Sequence, residues 1–122
     1  MGNSDPGQVD TRYLKNGRIR MRFKLSEYGY ESVNEAMSLT GYRYDHTCLE
    51  AISMNYLAAR PTKLTLDNPA EGSLRLLVKL FPDEYEIIRC ALDEANAYTQ
   101  SDAESLVMIC NLFLSLEQVG QP

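Results

Sequence analysis

From Arg18 to Leu25 the chain alternates without a break: Ile19, Met21, Phe23 and Leu25 are apolar, while Arg18, Arg20, Arg22 and Lys24 are basic. A period of two predicts a strand with one buried face. Ser26 then suits a helix N-cap, and Tyr30, Val33, Met37 and Thr40, with Ala36 beside them, recur at helical spacing until Gly41 stops the turn. A second helix is predicted from near Asp45, with Cys48, Ala51, Ile52, Tyr56 and Leu57 on one side, ending before Pro61.

The same order returns further along. Leu74, Leu76, Val78 and Leu80 alternate with Arg75, Leu77 and Lys79, and Pro82 suits the first position of a helix, where its missing N–H is harmless. Tyr85, Ile88, Leu92 and Ala95 stand 55 places after Tyr30, Val33, Met37 and Thr40; Ile109, Phe113 and Leu114 stand 57 places after Ile52, Tyr56 and Leu57. A strand-helix-helix unit is used twice. Such a unit, of about 40 residues with one strand, buries too little surface to fold alone and leaves both strand edges unpaired. Antiparallel pairing of the two strands would put Ile19, Met21, Phe23, Leu25, Leu74, Leu76, Val78 and Leu80 under a ribbon covered by four helices. The Pro- and Gly-containing linker 58–72 can extend about 50 Å, enough for both units to come from one chain. The expected fold class is mainly α with a two-stranded antiparallel β-ribbon. Units 18–57 and 73–116 form an intramolecular pseudo-dimer (β-α-α-linker-β-α-α), a single domain over 18–117 preceded by a flexible basic arm at 1–17.

Composition narrows the function. With 122 residues, 44% apolar and 24% charged, the chain has the makeup of one soluble globular domain, not of a multidomain enzyme. It has no apolar run near the roughly 18 residues of a membrane span and no signal-peptide pattern, so a cytoplasmic location without a membrane partner is expected. Cys48, Cys90 and Cys110 sit among apolar residues at no metal or disulfide spacing and are expected to fill the core. One His, no Gly-rich phosphate loop and no nucleophile beside a base argue against an enzyme, a cofactor, a metal or a small-molecule substrate. The acidic clusters Asp83-Glu84-Glu86 and Asp93-Glu94 read as helix N-terminal charge and a solvated face.

Charge is unevenly distributed. The net charge is −5, yet residues 11–25 carry Arg12, Lys15, Arg18, Arg20, Arg22 and Lys24 with no acid, while residues 26–122 hold fifteen acids against six basic residues. An acidic body with one basic edge suits local contact with a polyanion.

Arg20-Met-Arg-Phe-Lys-Leu-Ser26 and Arg75-Leu-Leu-Val-Lys-Leu-Phe-Pro82, followed by Leu39-Thr-Gly41, Asp45, Ala51-Ile52 and Tyr56-Leu57, resemble the ribbon-helix-helix family of DNA-binding proteins over residues 18–57 and 73–114. The organisation, both halves in one chain, is similar to that of the conjugation protein TraY. The resemblance implies a ribbon in the DNA major groove with Arg20, Arg22, Lys24, Arg75, Leu77 and Lys79 facing base edges. Independently of it, a two-stranded ribbon fits the groove, and Arg and Lys donate to guanine O6 and N7. Leu77 either meets a thymine methyl or marks a step where no base is read.

The resemblance also implies a phosphate at the start of each second helix, near His46, Thr47 and Ser101. Asp45 and Asp102, read as caps, would satisfy the N–H groups there and repel the phosphate. Arg12, Lys15 and Arg18 either follow the DNA backbone as an arm or form a tail with no fixed role. Tyr28, Tyr30, Tyr42 and Tyr44 would make either a stacking platform for single-stranded nucleic acid or, preferred here, a packed core edge and oligomer contact.

The expected function is sequence-specific double-stranded DNA binding, as a transcriptional repressor or a plasmid maintenance or transfer accessory factor, with side-by-side oligomers possible on DNA. The alternative is a protein-interaction module that kept the fold without the groove contact. The run of neighbouring cations favours DNA.

Overall fold

A computed structural model of the chain describes residues 17–61 and 66–119. The elements are β1 (Ile19–Leu25), α1 (Glu27–Thr40), α2 (Asp45–Ala59), β2 (Leu74–Leu80), α3 (Pro82–Ala95) and α4 (Asp102–Val119). The strands pair antiparallel, from Ile19 opposite Leu80 to Leu25 opposite Leu74.

The fold class expected above, a tandem of ribbon-helix-helix units, is corrected. Among the described residues there are four helices and a single two-stranded sheet in the order β-α-α-β-α-α. Each half supplies one strand and neither has a ribbon of its own, so the structure is one unit around one sheet, because a lone seven-residue strand cannot satisfy its backbone groups.

Ile19, Met21, Phe23 and Leu25 of β1 and Leu76, Val78 and Leu80 of β2 are buried. The strand cluster is packed with Val33 and Met37 of α1, Leu49 and Ile52 of α2, Ile88 and Leu92 of α3, and Leu106 and Val107 of α4. Helix α1 packs on α4, and α2 on α3. Leu74 breaks the expected pattern: at the strand's open end it is 40% exposed. Cys48 and Cys110 are buried as expected, with burial pushing the Cys110 thiol up, but Cys90 is exposed on α3.

Local chemistry sets the helix ends. The Ser26 hydroxyl accepts from the Gly29 N–H at 3.0 Å to start α1, and Gly41, at φ 79°, ends it in the left-handed conformation that glycine tolerates. Pro82 opens α3, where the Glu84 carboxylate accepts from the Phe81 N–H at 2.9 Å. Glu84 thus stands in the first turn of α3, as expected of helix N-terminal charge, and is buried. Neither expected Asp cap is present. Tyr44 holds the N-cap of α2 without a side-chain bond, and the Ser101 hydroxyl accepts from the Glu104 N–H at 3.2 Å before α4.

Asp102 is instead held by Arg89, whose guanidinium donates to both carboxylate oxygens at 2.8 and 2.7 Å and joins α3 to α4. These bonds hold the Asp102 carboxyl below its usual 3.8, against the opposing effect of its burial. A depressed pKa means that the pair's stabilisation is complete above pH 3.8 and is lost as pH falls through the folded value. Both side chains are partly exposed, so solvent screens the pair. Asp102→Asn should lower the melting temperature by about 2–5 °C at neutral pH, with the gap closing in strong acid, as thermal melts across pH will read.

The connection from α2 to β2 is packed at its far end. The Ser26 N–H donates to the Ala70 carbonyl at 2.8 Å, the Ser26 hydroxyl donates to the Pro69 carbonyl at 2.7 Å, and Glu71 bridges to Leu25. Among the described residues no helix is long and apolar enough to cross a membrane.

Candidate nucleic-acid interface

Alternation dictates that if Ile19, Met21, Phe23 and Leu25 point into the core, Arg20, Arg22 and Lys24 point out. The pairing register brings the outward residues of the two strands side by side: Arg20 opposite Lys79, Arg22 opposite Leu77, and Lys24 opposite Arg75. Five cations and Leu77, 46% exposed, thus share one face of the sheet. Arg22 and Leu77 form the middle pair, and a like-charged pair lies on either side. Like charges directly opposite on a sheet destabilise it, typically by a few tenths of a kcal/mol per pair. None of the five cations forms an ion pair among the described residues. Arg20 Nε is buried without a hydrogen-bond partner there. Among the described residues the face is electrostatically unsatisfied.

The candidate backbone contacts divide. Arg12 and Lys15 lie outside the described residues. Arg18 sits at the end of the ribbon, its Nη2 donating to the Lys79 carbonyl at 2.5 Å and its guanidinium 4.1 Å from the Phe81 ring centre. His46 faces inward, with Nδ1 2.7 Å from the Glu84 carboxylate and 3.4 Å from the Thr47 hydroxyl. Ser101 is engaged as the cap of α4.

A groove of about 350 Å³ runs from the ribbon to the start of α2, lined by Arg18, Arg43, Tyr44, Asp45, His46, Leu77, Val78 and Lys79. It brings Arg18, His46, Leu77 and Lys79 of the expected set together with Arg43 and Tyr44, which sequence reasoning did not assign to it. The tyrosine cluster separates accordingly. Tyr28 and Tyr30 pack against the core, with the Tyr28 hydroxyl accepting from Asn111 at 2.7 Å, while Tyr42 and Tyr44 are each 56% exposed. Tyr42 and Tyr44 therefore do not pack the core edge; they lie on the surface, where the expected oligomer contact would be made. The sequence carried one signal for Tyr44: it stands 57 places before Ser101, an aromatic ring where the repeat has a small serine.

Comparison of the chain with family models, curated proteins and solved structures found no match.

Proposed function

We propose that the chain is a cytoplasmic, sequence-specific double-stranded DNA-binding protein that lays its two-stranded sheet in the major groove, acting as a repressor or a plasmid maintenance or transfer factor. One observation carries this: five cations and one leucine form the whole outward face of the sheet, with no counter-ion among the described residues. A polyanion relieves that repulsion, and the groove width fits a ribbon. Acids elsewhere on the chain keep the rest of the surface away from phosphate and limit non-specific association. The sequence resemblance to ribbon-helix-helix proteins supports the same reading.

The test is selection of sites from random duplexes, followed by binding isotherms at several salt concentrations. Arg20, Arg22 and Lys24 face one half of the site, and Arg75, Leu77 and Lys79 the other. A non-palindromic motif with stronger guanine preference on the β1 side should emerge, with affinity falling steeply with salt. A perfect inverted repeat bound by one chain would contradict the asymmetry. Absence of any enriched duplex would overturn the function and give the protein-interaction reading the lead.

A further inference from the structure

One side of the ribbon carries an aromatic ladder that the other side lacks. The Arg18 guanidinium lies over Phe81, the Phe81 ring meets His46 edge-on at 5.7 Å, His46 stacks on Tyr44 at 5.7 Å and 11°, and the Arg43 guanidinium lies 5.6 Å from the Tyr44 ring centre. Buried pairing with Glu84 fixes His46 in the middle, yet the Tyr44 and Phe81 rings remain 56% and 48% exposed. The fold does not need this arrangement. At the corresponding positions of the other half stand Ser73 for Arg18, Ser26 for Phe81, Gln100 for Arg43, Ser101 for Tyr44 and Ala103 for His46. That other corner is also covered: Pro69 and Ala70 accept hydrogen bonds from Ser26 there. Of the two corners, residues 69–71 close the one with small residues, and among the described residues nothing covers the one with cations and rings.

From this we infer that the open groove holds one unpaired nucleotide adjoining the duplex on the ribbon. The inference rests on the duplex-binding reading. A groove of about 350 Å³ lies within the range of small-ligand sites. The Tyr44 ring, 56% exposed beside His46 and the Arg43 guanidinium, offers aromatic surface for a base, a contact that accepts any base because every base has a π-face. Arg43 and Lys79 supply positive charge for the flanking phosphates. Asp45 is the one acid among the described lining residues; it repels phosphate, which keeps the phosphates on the side of the cations. A fully paired duplex keeps its bases stacked and cannot fill this site, whereas an overhang or a bulge can.

The experiment compares the full chain on the selected duplex in blunt form, with a single-stranded overhang and with a one-nucleotide bulge, placed at the end of the site that β2 and Arg18 approach. The overhang or bulge should bind about 10-fold tighter than the blunt duplex. Tyr44→Ala should remove that preference and leave blunt affinity unchanged; the residue is exposed and makes no cap bond, so folding is retained. The chain has no tryptophan, so Tyr44→Trp places a single reporter in the groove, and its emission should be quenched by the overhang or bulge and not by the blunt duplex. Equal affinity for all three DNAs, or a preference that survives Tyr44→Ala, overturns the inference while the ribbon reading stands. Quenching by free deoxynucleoside monophosphates without any preference among the DNAs makes the groove a site for soluble nucleotide and also overturns it. Failure to bind even the blunt duplex overturns the ribbon reading itself.

Discussion

Arg22→Ala should weaken binding to the selected duplex by about 1–3 kcal/mol and leave binding to random duplex almost unchanged, so the specificity ratio collapses while general affinity survives. Arg22 sits at the middle of β1, opposite Leu77, and is exposed, so nothing in the core depends on it. As the central outward residue it lies where a ribbon comes closest to the base edges, and a bidentate contact to guanine is lost without a substitute from Leu77. Lys24 and Arg75, the facing pair at one end, provide the contrast. Lys24→Ala should reduce the slope of log affinity against log salt by about 0.9 if the residue neutralises a phosphate. In the free protein the same change relieves a like-charge pair and should raise the melting temperature slightly. Glu35→Ala, exposed on α1, is the control and should change neither property beyond a small electrostatic gain. Fluorescence anisotropy with both duplexes, alongside thermal melts, separates these effects. An Arg22→Ala variant that melts like the parent and keeps its specificity ratio would show that the ribbon does not read sequence.

The first strand was legible because its alternation is complete and its outward side entirely basic, and the second departs from that pattern only at Leu77. Leu25 could only go inward if Lys24 went outward. The first helix was legible because Ser26 and Gly41 are chemically suited to its two ends. Reading Asp102 as a cap failed for a tertiary reason: Arg89, thirteen residues before it, claims its carboxylate, and no local pattern announces the pairing; Asp45 is already the first residue of α2, one place past the cap at Tyr44. Glu84 was placed correctly at a helix start, but its burial was not legible for the same reason. In sequence it belongs to an acidic cluster at a helix start; in the fold it is the buried partner of both His46 and the Phe81 N–H. Leu74 was assigned to the core from period alone, but alternation says which face a residue takes and not how far the covering helices extend along it. The groove was the least legible feature, since it joins residues 18, 43–46 and 77–79 and exists only through the strand register.

Gly72→Ala should be among the most disruptive single-methyl changes in the chain, lowering stability by about 1–3 kcal/mol and the melting temperature by roughly 5–15 °C. The cause is close approach and not backbone conformation. A Cβ at Gly72 would lie 2.6 Å from Ser26 Cα, 2.7 Å from the Leu25 carbonyl oxygen and 2.8 Å from Ser26 N, all main-chain atoms that cannot swing aside. Relieving the clash means moving residues 69–72 off the β1–α1 corner. That strains the Gly72 N–H bond to the Lys24 carbonyl, the Ser26 N–H bond to the Ala70 carbonyl and the Leu25–Glu71 bridge. Gly29→Ala attacks the same contact from the helix side, where a Cβ would meet the Ala70 oxygen at 2.7 Å and Val107 at 3.0 Å. Because both changes displace one segment, the double variant should be less destabilised than the two single losses predict together. Gly41→Ala supplies the comparison. Its Cβ would meet nothing within 4 Å, so its cost, about 1–2 kcal/mol, comes only from the left-handed backbone and should add to Gly72→Ala without coupling. Chemical denaturation of the three single variants and the two doubles with Gly72→Ala measures all of these terms. A Gly72→Ala protein as stable as the parent, or one whose loss simply adds to that of Gly29→Ala, would mean that the connection does not clamp that corner.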